Sequence, residues 1–149
     1  MSVLHLTEPH SYQVAAHNAA EYWCRNKTFK WWGWSEEIYA GETTRIVRAF
    51  ALPLGYSSRH KHNHQDNVFI IEKGHLNVTI YEDDDCDGIT WHAHLHDKAM
   101  GARTAYIPAG VWHCFEATTD CWFREVYIGN PGKPNPDDIV RADRGGLRR

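Results

Sequence analysis

Residues 55–74 constrain the fold of this chain most strongly, because they place three histidines at alternate positions directly before a run of β-forming residues. The histidines are His60, His62 and His64. Alternate side chains of an extended strand point to one face of the sheet. The spacing therefore predicts three potential metal ligands on the same face.

The segment that follows has the composition of a β-strand. The apolar run 68–71 stops before Gly74, and the run 75–81 predicts a second strand that pairs back on the first. Similar short segments recur along the 149-residue chain, with turn residues between them. The periodicity predicts a single all-β domain of about eight to ten short strands, arranged as a sandwich or a barrel.

A fourth histidine, His113, lies in a second motif, in which Pro108 and Gly110 predict a tight turn. The two motifs together resemble the paired motifs of the cupin superfamily, over residues 32–128. The matching positions are, in chain order, Gly55, His60, His62, Gly74, Gly101, Pro108, Gly110 and His113. The resemblance implies an all-β cupin fold, which is a double-stranded β-helix or jelly-roll barrel.

The chain departs from the cupin pattern at a metal-binding position, where the pattern has a Glu and this chain has Asn67; in addition, Gly101 lies one residue further from Pro108 than usual and Ala117 takes the place of an Asn. The resemblance implies one divalent metal ion held by His60, His62 and His113, with Asn67 as a fourth ligand or as a hydrogen-bond partner of bound water or substrate. Imidazole suits Fe, Zn, Mn and Ni; Fe is expected first, as in three-histidine cupin dioxygenases. Because these ligands are neutral, the ion keeps its full charge, which favours an anionic chelating substrate.

The other predicted site residues surround these ligands. His64 is predicted to be a catalytic acid–base group, because the pKa of imidazole lies near neutrality, or a further ligand. Tyr106, near the end of a motif, is a second catalytic candidate. Arg48, Phe69 and Phe115 are predicted to contact substrate. The alternative for Arg48 is a solvated guanidinium at a strand edge.

A finer resemblance concerns the order of short segments along the chain. Trp32-Gly33, Gly41-Glu42, residues 52–55 and residues 124–126 follow one another as in the cupin domain of type II mannose-6-phosphate isomerases. This similarity implies a sugar-like or carboxylate-bearing small molecule.

Two functional hypotheses follow from these patterns. The first is a metal-dependent enzyme of dioxygenase, lyase or isomerase type that acts on a small polar or anionic molecule. The second is a non-catalytic cupin that binds a sugar or metabolite as a sensor or carrier, which the missing carboxylate favours.

Charge and hydropathy exclude several classes of partner. The net charge is −3, and basic residues cluster only at the C-terminal end, so nucleic acid is not an expected partner. No stretch is apolar enough for export or for a membrane span, which predicts a cytoplasmic protein with reduced thiols. Cys114 and Cys121 flank residues 118–120, and a disulfide across a hairpin is the alternative for this pair.

The chain divides into three predicted parts. Residues 1–39 form a lead-in, with a short helix over 11–23 and aromatic residues over 30–34 that pack on the barrel or on the partner subunit of a homodimer. Residues 40–130 form the cupin barrel, and residues 131–149 form a polar tail. A second alternating row, 92–96, is either an exposed strand face with three histidines or a second metal cluster.

Overall fold

The computed structural model describes residues 27–83, 88, 90–98 and 101–148, and every helix or strand in these ranges is a β-strand. The helix predicted over 11–23 lies outside the described residues. The strands are β1 (Lys27–Lys30), β2 (Gly33–Ala40), β3 (Thr44–Ala51), β4 (Gly55–Tyr56), β5 (His60–Lys61), β6 (Gln65–Lys73), β7 (His75–Tyr81), β8 (Thr90–His96), β9 (Thr104–Ile107), β10 (His113–Ala117), β11 (Cys121–Gly129), β12 (Val140–Arg141) and β13 (Gly146–Leu147).

The strands form two antiparallel sheets. The first has the order β1-β2-β3-β11-β6-β9. The second has the order β12-β5-β10-β4-β13, with β7 paired to both β10 and β8. Buried residues of both sheets share one hydrophobic core, including Phe69 and Phe123 from the first and Leu76 and Phe115 from the second. The predicted all-β jelly-roll architecture is confirmed.

Strict alternation along the strands decides which side chains face this core. In β3, Val47, Ala49 and Ala51 are buried. In β11, the buried face contains Cys121, Phe123, residue 125 and Tyr127. Since side chains alternate between the faces of a strand, this pattern carries a carboxylate, Glu125, into the interior beside apolar neighbours.

The predicted pairing of the strand over 75–81 is wrong. β7 does not pair with β6; it pairs with β10 and β8 in the other sheet. Gly74 makes this crossing at a φ of 96°, and a Cβ there would lie 2.2 Å from the carbonyl oxygen of Asp120. The chain therefore turns from one sheet into the other where a simple hairpin was expected.

A second crossing between the sheets, from β10 to β11, separates Cys114 from Cys121. β10 belongs to the second sheet and β11 to the first, so these strands are not partners in a hairpin. Both cysteines are free thiols, and burial raises the pKa of Cys121 to about 12. The alternative of a disulfide is not realised.

The barrel extends beyond the predicted boundaries at residues 40 and 130. β1 and β2 lie in the segment assigned to a lead-in, and they extend the first sheet. β12 and β13 lie in the predicted polar tail, and they pair with β5 and β4. The described part of the chain contains no helix with the length and apolar character of a membrane span.

Candidate metal centre

Three histidines converge at one end of the barrel interior. His60 in β5 lies opposite His113 in β10, and their ring centroids are 4.4 Å apart. The ring of His62 lies 5.1 Å from that of His60 and 5.6 Å from that of His113. One ring nitrogen of each residue lies within 4.8 Å of one ring nitrogen of the other two, and all three side chains are buried.

Backbone carbonyls hold each imidazole by its Nδ1 atom. His60 donates to the carbonyl oxygen of Ser58 at 2.7 Å, and His113 donates to that of Val111 at 2.9 Å. His62 donates to the carbonyl oxygen of Asp138 at 2.6 Å. Because a carbonyl only accepts hydrogen bonds, each Nδ1 carries the hydrogen, and each neutral ring keeps its lone pair on Nε2.

The Nε2 atoms have the environment expected of metal ligands. Those of His62 and His113 are buried and have no hydrogen-bond partner among the described residues. A buried nitrogen without a partner is destabilising. A metal ion bound by Nε2 removes that penalty, and a hydrogen bond from Nδ1 to a carbonyl is the usual second contact of a metal-binding histidine.

Burial also keeps the three rings neutral. It is the largest cause that lowers the pKa of each of them, and it lowers that of His113 to about 4. For His60, the neighbouring rings of His113 and His62 add to this effect. Neutral imidazole is the form that binds a metal ion, so no proton has to leave the site near pH 7.

The segment predicted to be a polar tail supports the loop that carries His62. The Asp138 carbonyl accepts from His62, and the Asp138 carboxylate accepts from the backbone N–H groups of Asn63 and His64 at 3.0 and 2.8 Å. Arg141, in β12, lies in register with His60. Residues far from the motifs in sequence therefore fix the position of the ligands.

A cavity of about 160 Å³ opens in front of His60 and His62. Its wall contains residues of both sheets and of the C-terminal segment. Its polar and aromatic lining includes Lys30, Arg45, Phe115, Glu125, Tyr127 and Arg141. A cavity of this size holds a small molecule or the reacting end of a larger one.

Asn67 forms a hydrogen bond with a buried carboxylate, that of Glu125. Its Nδ2 donates to Oε2 of Glu125 at 2.9 Å, and the hydroxyl of Tyr127 donates to the same oxygen at 2.5 Å. The Oδ1 of Asn67 is buried and has no hydrogen-bond partner among the described residues. Asn67 as a fourth ligand remains a prediction, but its amide already positions Glu125.

His64 does not join the other histidines. The chain leaves the extended conformation after Lys61, and the contact of Asp138 with the loop places the His64 side chain in solvent while His60 and His62 are buried. The prediction of three histidines on one face is corrected accordingly. Two of them meet His113, and His64 lies outside this buried cluster.

Tyr106 faces away from the site. It is in register with Val68, one residue from Asn67, so it lies on the outer face of the sheet. Its side chain is 55% exposed, and its hydroxyl donates to Asp66. Strand alternation therefore separates this predicted catalytic residue from the three histidines.

Of the three residues predicted to contact substrate, one lines the cavity and two lie elsewhere. Phe115 lines the cavity. Phe69 is fully buried in the core, with its ring 6.0 Å from that of His113. Arg48 points outward, over the ring of Trp122 and 3.5 Å from Glu72. The arginines that line the cavity are Arg141 and Arg45, and Arg45 lies three residues before Arg48 on the opposite face of β3.

The second histidine row lies on the outer face of the barrel. His92 and His94 are exposed, and the His75 ring on β7 lies 5.2 Å from that of His96. Among the described residues, the three buried histidines alone form a group of three or more His, Cys, Asp or Glu residues with ligand atoms this close. The row is therefore an exposed strand face.

Two features of the site were absent from the sequence predictions. Glu125 could have been found, because Cys121, Phe123 and Tyr127 alternate with it on one strand face. Asp138 offered no comparable signal, since it lies in a polar segment between Pro136 and β12. Its role depends on where the chain returns in three dimensions.

Similar solved structures place this architecture in a known fold. Oxalate decarboxylase from Bacillus subtilis is similar over 78% of this chain and 29% of its own, with a TM-score of 0.63 and 16% identity. CapF, solved with the inhibitor 3-isopropenyl-tropolone, is similar over 77% and 33%, with a TM-score of 0.61 and 15% identity. This chain has the cupin fold.

Two curated relatives match most of this cupin. A mannose-1-phosphate guanylyltransferase of Escherichia coli (strain K12) is 26% identical over 136 residues, which are 90% of the chain. A putative mannose-1-phosphate guanylyltransferase of Vibrio cholerae serotype O1 is 26% identical over 131 residues, or 87%. The chain spans about a quarter of the length of these relatives. No family model matches it.

Proposed function

We propose that this cupin is a metal-dependent enzyme that binds one divalent ion through His60, His62 and His113 and acts on a small polar or anionic molecule. The observation that carries the proposal is the convergence of three neutral imidazoles, each fixed through Nδ1 to a backbone carbonyl. Fe is the expected ion, with Zn, Mn or Ni as alternatives. The reaction is of dioxygenase, lyase or isomerase type.

The charge of the ligand set defines the expected substrate. Three imidazoles and an amide contribute no negative charge, so a divalent ion would retain its full charge and polarise a bound oxygen atom. An anionic group on the substrate supplies the missing charge. This favours a molecule with a carboxylate or a pair of oxygen atoms that chelate the ion.

Glu125 is the best-placed proton acceptor in the cavity. Asn67 and Tyr127 both donate to its Oε2, and no hydrogen bond to Oε1 is found among the described residues. The two donors on one oxygen hold the carboxylate in a fixed orientation. In the proposed reaction, Oε1 accepts the proton of a substrate O–H or C–H bond, and the electron pair of that bond stays on the substrate.

The names of the similar proteins support a small anionic substrate. The similar proteins are named for reactions of oxalate and of mannose 1-phosphate, and both compounds are small anions. A dioxygenase, lyase or isomerase reaction of the cupin itself is our proposal.

A non-catalytic binding function is the second candidate. One observation favours it: an amide, Asn67, occupies the position at which the motif has a metal-binding carboxylate. Such a protein would use the same cavity to hold a sugar or metabolite without turnover. The two candidates differ in whether a bound metal ion is required.

Loading with cobalt tests the proposal directly. The visible spectrum of bound Co²⁺ reports its coordination, so small carboxylates and hydroxy acids can be titrated against loaded protein without knowing the reaction. We expect a subset of chelating anions to change the spectrum of the wild type and of Glu125→Gln, and products to form only with the wild type. A chain that takes up no ion from Fe, Zn, Mn, Ni or Co solutions would favour the non-catalytic candidate.

A further inference from the structure

We propose that Lys30 and Arg141 form a binding site for a dianionic group at the mouth of the metal cavity. The inference rests on the proposed function and narrows its substrate class. The substrate would carry a metal-chelating end and, separated from it, a phosphate or a second carboxylate.

Both side chains lie where the metal cavity meets a groove on the protein surface. They line the 160 Å³ cavity that contains His60 and His62, and they also line a groove of about 590 Å³ outside it. Arg141 is in register with His60 across the β12–β5 pair. A ligand that enters through the groove therefore passes these two cations before it reaches the histidines.

The two charges lack the partners that neutralise neighbouring arginines. Arg45 pairs with Glu37 at 2.6 Å, and Arg59 pairs with Asp143 at 2.6 Å. Among the described residues, neither Lys30 nor Arg141 has a carboxylate oxygen within the 4.0 Å of an ion pair. Arg141 donates instead to the hydroxyl of Ser58 at 2.6 Å.

The two cations also repel each other. Burial is the largest cause that lowers the pKa of Lys30, the charge of Arg141 is the second, and the charge of Glu125 acts in the opposite direction. Like charges that line one cavity destabilise the empty site, and an anion between them reverses the sign of the interaction. A dianion neutralises both charges, and a guanidinium can contact two oxygens of a phosphate or carboxylate at once.

The groove beyond the pair can accommodate the remainder of such a molecule. Phe29 and Trp31 line it, and their side chains are 74% and 75% exposed. Exposed aromatic rings pack against apolar faces of ligands. The inferred ligand is thus an elongated small molecule with two polar ends, larger than a two-carbon acid.

Calorimetric titration of chelator-treated protein with inorganic phosphate, and separately with malonate, tests the site. We expect Lys30→Met and Arg141→Met each to weaken binding of the preferred anion by about tenfold, as the loss of one charge-assisted contact implies. Arg141→Lys keeps the charge but loses the contact with two oxygens, so its affinity should lie between those of Arg141→Met and the wild type. Arg124→Met is the matched control, because Arg124 is exposed on the outer face of β11 and pairs with Glu72.

The outcomes separate this inference from the metal proposal. Tighter binding of phosphate assigns a phosphate group, and tighter binding of malonate assigns a second carboxylate. Anion binding that persists in a protein without metal affinity supports the site while the metal proposal fails. A wild type that binds neither anion, or an Arg124→Met variant that loses as much affinity as Lys30→Met, overturns the site even if metal binds.

Discussion

The histidine motifs and the C-terminal segment 131–148 contribute to the same site in different ways. The motifs supply the candidate ligands, and their resemblance to the cupin motifs predicted His60, His62 and His113, which lie close together in the structure. The C-terminal segment supplies Asp138, which holds the His62 loop, and Arg141, which borders the cavity. Its sequence is polar and rich in Pro and Gly, and it was predicted to be a tail. The candidate ligands can thus be recognised from short sequence motifs. The residues that hold these ligands in position depend on the tertiary fold.

The largest effect should come from the motifs themselves. We expect His113→Ala to lower metal affinity by more than about 100-fold, because it removes one of three ligands and leaves a cavity in the buried cluster. His94→Ala, in the exposed row, is the control and should bind metal like the wild type. Competition titration against a chelator measures both. Equal affinities in the two variants would show that the buried histidines are not the ligands.

The second effect tests whether the C-terminal segment matters to the ligands. Asp138→Ala removes the acceptor of two backbone N–H groups in the His62 loop, so metal affinity should fall by about 10- to 100-fold, as is typical when a group that orients a ligand is lost. Asp137→Ala is the matched control, since this neighbour is exposed. Wild-type metal affinity in Asp138→Ala would show that the contacts of the Asp138 carboxylate do not orient the ligands.

A pH effect should distinguish buried from exposed histidines in metal-free protein. The pKa of His113 is about 4 in the folded chain, below its ordinary value of 6.5. Between these values the unfolded chain binds more protons, so stability falls as pH falls, and above pH 6.5 the effect vanishes. We expect a loss of about 1 to 2 kcal/mol from His113 alone between pH 6.5 and 5, with His60 and His62 acting in the same direction.

Urea unfolding at these two pH values measures this dependence. His113→Asn should show a weaker pH dependence than the wild type, and His94→Gln an unchanged one. If His113→Asn kept the full dependence, the buried rings would not be its source.

The smallest effect concerns a second contact between the same two regions. Arg59 and Asp143 form an ion pair at 2.6 Å, but about a third of each side chain is exposed. Exposed ion pairs contribute little, so Asp143→Asn should lower the free energy of unfolding by less than about 1 kcal/mol and leave metal affinity unchanged. A large loss of metal affinity would contradict the expectation that Asp138 orients the ligands and Asp143 does not. It would mean that the whole segment acts as one unit.

The limits of sequence reasoning here have physical causes. The resemblance to the cupin motifs predicted the candidate ligands, because each motif is a short stretch of sequence. Arg48 and Tyr106 were assigned to the site although alternation does not say which face of a strand is the interior, and the structure turns both outward. The pairing of β7 could not be read from adjacent runs, because a jelly roll passes from one sheet to the other at Gly74.

X-ray absorption spectroscopy of the chain loaded with one equivalent of Fe or Zn examines the central claim most directly. We expect one ion per chain with scattering from three imidazole rings, and loss of that signal in His113→Ala. An ion that keeps the same surroundings in His113→Ala, or a wild-type chain that retains no ion, would contradict it.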